Sequence, residues 1–134
     1  MQSDDGSVML LVIGYALLAL AVVFVCVCAT DLYLAQKRLD ALADSAALAG
    51  ADGFTLVVVG DEARAALTDD GVRAQALALL AELPGDARIV AADTPDGVSA
   101  RVVVAADWRP PVFSPFVPDG VQLQAVGTGR TALR

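Results

Sequence analysis

The sequence contains no histidine. That absence removes the usual general base, the Ser-His-Asp and Cys-His nucleophile systems, and most zinc sites. Cysteine is nearly as scarce. Cys26 and Cys28 are the only two, and both fall within an apolar run. Two positions apart on a helix they face different sides, which argues against an intrachain disulfide or a metal pair. They read as small apolar side chains, with an intermolecular disulfide or a lipid attachment as the open alternatives. Basic residues are few and scattered: nine Lys and Arg stand against sixteen Asp and Glu, for a net charge of −7, and only Lys37 and Arg38 are adjacent. Phosphate binding depends on basic clusters, so nucleic acid is not expected as a partner. No Gly-rich phosphate loop with a following Lys and no dinucleotide fingerprint occurs. Asp69-Asp70 is the nearest approach to a carboxylate pair, but adjacent acids before a helix serve it as cap and dipole partners. Nothing here calls for a cofactor, a metal or a small-molecule substrate, and the chain reads as a non-enzymatic protein.

What the sequence has in excess is apolar surface. The hydrophobic fraction is 57% and the mean hydropathy +0.63, above the roughly 45–50% apolar usage of soluble domains. The excess is concentrated: Ser7 to Thr30 is a run of 24 residues without one Asp, Glu, Lys or Arg. As a helix it covers about 36 Å, enough to cross a hydrocarbon core of ~30 Å with some tilt. A buried helix of a soluble domain would need apolar partners on every side, which a remainder of about 100 residues does not supply. A cleaved signal peptide would want a basic lead and a shorter core, whereas this lead is Met1-Gln2-Ser3-Asp4-Asp5. The expectation is a single transmembrane helix. Counting basic residues near the span, with none before it and Lys37-Arg38 after it, predicts the rest of the chain in the cytoplasm.

The helix does not obviously stop at the membrane. From Asp31 to Ala49 there is no Pro or Gly, and Leu32, Ala35, Leu39, Leu42, Ala46 and Ala49 recur at alternating spacings of three and four. That is an a/d seam, and it predicts an amphipathic stem whose alanines let another element come close. The seam suits packing against helices of other subunits, or against the chain's own domain. Gly50 and Gly53 are expected to end the helix. The organisation expected is therefore a helix and stem over 1–52 and a small acidic domain over 53–134.

Within that domain, Phe54 to Val59 reads as a short buried strand bounded by glycines. Asp61 to Leu83 looks helical, interrupted near Thr68-Asp69-Asp70-Gly71, with Asp69 or Asp70 capping the second piece. Val72, Ala76, Leu79, Leu80 and Leu83 fall on one face of it, and Pro84-Gly85 stops it. Ala87 to Asp93 and Val98 to Asp107 are strand-like and joined by the turn Thr94-Pro95-Asp96-Gly97. Val98, Ala100, Val102, Val104 and Ala106 alternate with polar positions, as a half-buried strand does. Trp108 to Pro118 holds four of the six prolines. It is expected as a loop whose Trp108, Phe113 and Phe116 either fold over the sheet as core or form a binding surface. Val121 to Thr131 supplies a last strand. The fold class expected is α+β, a helix on a three-stranded antiparallel sheet.

The first 52 residues resemble a known family. Asp4-Asp5-Gly6-Ser7 leads into the apolar helix, Asp31 follows near the outer membrane face, and the segment closes on Leu39, Ala43-Asp44 and Ala46-Ala47-Leu48-Ala49. This is similar to the N-terminal region of TadE/TadG-like proteins of the tight-adherence (Flp) pilus system. Over 72–133 the order of helix, two strands, proline loop and last strand is similar to short actinobacterial members. The resemblance implies a minor pilin or pilus-assembly component, anchored in the bacterial plasma membrane with its domain outside. Its partners would be membrane lipid and pilin or other assembly subunits packed on the helix. Members processed by prepilin peptidase carry a Glu five residues after the cleaved Gly. Here that position after Gly6 is Leu11, so processing is not expected. Larger TadG members add a von Willebrand-like domain with an Asp-x-Ser-x-Ser metal motif, which this sequence lacks. The outside placement opposes the count of basic residues, but Lys37-Arg38 is a single pair flanked by Asp31, Asp40 and Asp44. The reading from another class is a bitopic accessory or regulatory subunit of a different membrane complex, its domain in the cytoplasm. A third is a secreted domain released by signal peptidase.

Overall fold

The computed structural model describes residues 2–112 and 119–131. The helix α1 runs unbroken over Gln2–Ala51, 50 residues and so about 75 Å long. A hairpin of β1 (Thr55–Val59) and β2 (Glu62–Ala66) follows, then α2 (Asp69–Glu82), and then the strands β3 (Arg88–Asp93), β4 (Ser99–Trp108) and β5 (Val121–Arg130). The last three form one antiparallel sheet with β4 in the centre. The architecture is α+β, as the sequence indicates.

In its first half α1 touches little else. Leu10 is 74% exposed and Leu20 65%, and no residue of its most apolar window is buried. It is one helix long and apolar enough to cross a membrane. The second half is different. Leu39, Ala43, Ala46, Ala47, Gly50 and Ala51 are buried, at spacings that keep them on one face of the helix. Their cover is the chain's own sheet: α1 lies along β5 and β4, while α2 lies over β3. Two apolar clusters result. Ala46, Ala47 and Ala51 meet Leu67, Val72, Ala76, Ala100 and Val102. Nearer the apolar end of α1, Leu39 and Ala43 meet Val104 and Ala125.

Small residues decide how close the layers come. A methyl group built at Gly129 would lie 2.6 Å from the Ala47 carbonyl oxygen, and one built at Gly127 would overlap the Ala43 carbonyl. Helix backbone therefore rests on strand backbone, with alanine on one side and glycine on the other. The two elements also rise together. Gln36 Nε2 donates to the Gln124 carbonyl at 3.0 Å, and eleven helix residues later Ala47 meets Gly129. Eleven residues of helix and five of strand each span about 17 Å, so α1 and β5 run parallel in step.

Several local expectations need correction. Glu62–Ala66 is a strand, not helix. Its Glu, Ala and Arg favour helix alone, but pairing with Thr55–Val59 across the two-residue turn Gly60-Asp61 outweighs that preference. Gly60 has φ +70°, which suits such a turn. The strand β1 is exposed along its whole length rather than buried, because the hairpin stands apart from the three-stranded sheet. The cap of α2 is Thr68, whose Oγ1 accepts from the Gly71 N–H at 3.1 Å. Asp69 turns elsewhere, its Oδ1 accepting the Thr94 N–H at 2.8 Å. Gly50 lies inside α1, and the last helical turn closes on Asp52 N–H and Gly53 N–H. Leu83 and Val98 fall on the expected faces but are each more than two-fifths exposed, at element ends.

Candidate interaction surface

The sequence offers a seam rather than a reactive centre, and the structure shows where each seam residue goes. Leu39 and Ala46 are buried in the two clusters. Leu42 is half-buried against the second of them. Leu32, Ala35 and Ala49 are also half-buried. Of the two uses the pattern allowed, packing on the chain's own domain takes most of this face. The burial pattern is shifted by one residue, with Ala43, Ala47 and Gly50 filling the centre. The signal that could have found them is the pair Gly127 and Gly129 in a strand, which marks close backbone approach.

The opposite face of the stem is open. Leu34 is 46% exposed and Leu48 59%, and Ala41 and Ser45 between them are exposed too. Leu34, Ala41 and Leu48 are seven apart, so they form one stripe. The Ser45 hydroxyl donates to the Ala41 carbonyl at 2.8 Å and thus presents little polarity outward. Beside the stripe, Lys37 pairs with Asp40 at 3.7 Å and lies over the Tyr33 ring, 5.7 Å from its centre.

At the foot of the stem sits a polar junction. Trp108 Nε1 donates to Asp31 Oδ2 at 2.7 Å. Gln36 Nε2 donates both to Gln124 O and to Asp40 Oδ1, at 3.0 and 2.9 Å. Trp108 is half-buried, and Phe113 and Phe116, expected beside it, lie outside the described residues. A groove of about 340 Å3 opens next to this junction, between Arg38 and Leu42 of the stem and Asp86, Trp108 and Leu123. Its lining is mostly apolar, with Arg38, Asp86 and Asp107 as the charged members. Among the described residues no group of three His, Cys, Asp or Glu is placed to hold a metal. Cys26 and Cys28 are separate free thiols on the apolar helix.

What the chain offers, then, is an apolar helix and an open stem face, which are means of association. Residues 6–53 match the family model described as "Putative Flp pilus-assembly TadE/G-like". No curated protein matches the chain, and no solved structure does. The match begins at the first apolar turn and ends two residues beyond α1. Over residues 6–53, about a third of its length, this chain is similar to TadE/G-like pilus-assembly proteins.

Proposed function

We propose that the protein is a non-enzymatic, membrane-anchored component of a Flp/Tad-type pilus or related secretion machinery, a minor pilin or an assembly factor. The helix α1 crosses the plasma membrane once, and the domain stands outside. The observation that carries this reading is the coincidence of the family match with one unbroken helix. Its first half exposes apolar side chains on all sides, a surface that lipid or other helices must cover. Its second half keeps the stripe Leu34, Ala41 and Leu48 open. The partners are therefore membrane lipid and pilin or assembly subunits packed along the helix.

One observation favours a second reading, a bitopic accessory subunit with its domain in the cytoplasm. Lys37 and Arg38 lie on the domain side of the span and the other flank carries Asp4 and Asp5, which is the positive-inside arrangement. Topology separates the two. Phosphatase and fluorescent-protein fusions after Arg134, in the native host or a close relative, should give an active external phosphatase on a full-length membrane-bound product. A fluorescent cytoplasmic fusion would overturn the pilus reading in favour of the accessory subunit.

A further inference from the structure

The apolar helix and the sheet share one fixed register, and it places a specific part of the sheet at the membrane. Moving away from the apolar run, Asp31 meets Trp108, Gln36 meets Gln124, Ala43 meets Gly127 and Ala47 meets Gly129. Since Trp108 pairs with Val121, β4 descends toward the apolar run and β5 climbs away from it. The end of β4 at Trp108 and the start of β5 at Val121 are therefore the strand ends nearest the apolar run. Asp31 is the first charged residue after the 24 uncharged ones. A helix that length spans a core of ~30 Å and leaves Asp31 among the headgroups.

Trp108 is tied to Asp31 at 2.7 Å and so stands at the same depth. An indole with a satisfied N–H and an apolar body is the side chain most suited to that layer. Past Trp108 the described chain goes on through Arg109, Pro110 and Pro111 to Val112, which is 61% exposed. Neither Arg38 nor Arg109 forms a salt bridge among the described residues, so both can meet anionic headgroups. A lone exposed valine is common on protein surfaces. Here it follows an anchored tryptophan by four positions, past the strand end that faces the apolar run.

We propose that the Trp108–Val112 end of the domain is seated in the headgroup region of the bilayer that α1 crosses, as a second lipid contact beside the helix. The proposal rests on the anchor reading above, and its test separates the two. The full chain would be reconstituted in vesicles of phosphatidylethanolamine and phosphatidylglycerol. Trp108 is the single tryptophan, so brominated lipids report its depth in the native protein. In a Cys26→Ser, Cys28→Ser background, a fluorophore would be placed in turn at Val112→Cys, Val58→Cys and Val22→Cys.

Val22 reports the span through chain-nitroxide lipids, Val112 reports the seat, and Val58 on the far hairpin reports bulk water. The expected result is quenching of Trp108 by lipids brominated near the glycerol end. Quenching of the Val112 label by headgroup nitroxides should be several-fold stronger than that of the Val58 label. A quenched Val22 label together with a Val112 label as open to aqueous iodide as Val58 would overturn the seat alone. An unquenched Val22 label would overturn the anchor and the seat together.

Discussion

Gly127 of β5 lies against the carbonyl of Ala43 in α1, so closely that no side chain fits between them. Both residues are buried, and the contact holds the stem flat on the sheet. Gly127→Ala should therefore push the layers apart and cost about 1–3 kcal/mol or more, as overpacking of a filled core does. Gly14→Ala is the control, because a methyl there meets nothing. Unfolding of the detergent-solubilised chain, followed by tryptophan emission, should show a clear loss for the first variant and no loss for the second.

The stem supplies one wall of the core, with Leu39, Ala43, Ala46, Ala47 and Ala51. A chain starting at residue 53, the boundary suggested by the composition, leaves the inner face of β4 and β5 bare. It should be unfolded or aggregated in water, by far-UV dichroism and size-exclusion chromatography. A chain starting at residue 31 keeps that wall without the apolar run, and should be folded and soluble.

Thr68 and Asp69 do separate jobs one residue apart. The Thr68 hydroxyl caps α2 by accepting the Gly71 N–H, so Thr68→Ala should cost about 1 kcal/mol. Asp69 accepts the Thr94 N–H and ties the start of α2 to the β3–β4 turn, so Asp69→Ala should cost a similar amount, about 1 kcal/mol. Amide exchange distinguishes them: the first variant should release protection at Gly71, the second at Thr94.

Asp96 gives the β3–β4 turn a pH dependence. The Ser99 N–H, then the Val98 N–H and the Ser99 hydroxyl, hold its carboxyl below its ordinary value of 3.8. A lowered folded pKa means the unfolded chain takes up the proton first. The contribution is thus complete above the ordinary value and disappears as pH falls through the lowered one. Since Asp96 is open to solvent, added salt should weaken the effect. Asp96→Asn should flatten the acid limb of the stability profile below about pH 5 and leave stability near neutrality less sensitive to salt.

Much of this fold is legible where the deciding forces are local. The apolar run, the proline-free stem and the turn Thr94-Pro95-Asp96-Gly97 announce themselves over a few residues, as does the alternation of β4. What escapes is set by distant partners. Glu62–Ala66 has helix-forming residues, and only its pairing with a valine-rich neighbour makes it a strand. The stem seam is equally good for a foreign helix or its own sheet, and the glycines that choose lie some eighty residues away. The junction of Asp31 with Trp108 spans 77 positions and leaves no mark in either neighbourhood. The likeness to pilus-assembly proteins was readable in the first 52 residues because the helix that carries it needs no partner to be recognised.

The unbroken course of α1 also fixes how force would travel. There is no hinge, proline or loop between the apolar run and the layer on the sheet, so a pull on the apolar run arrives at β5 with no slack. Because helix and strand run parallel in step, the load comes as shear along their shared length. The Ala–Gly contacts and the Asp31 and Gln36 bonds resist it together instead of parting one after another. The molecule is in effect a strut, stiff along its axis from the apolar run to the far end of the sheet.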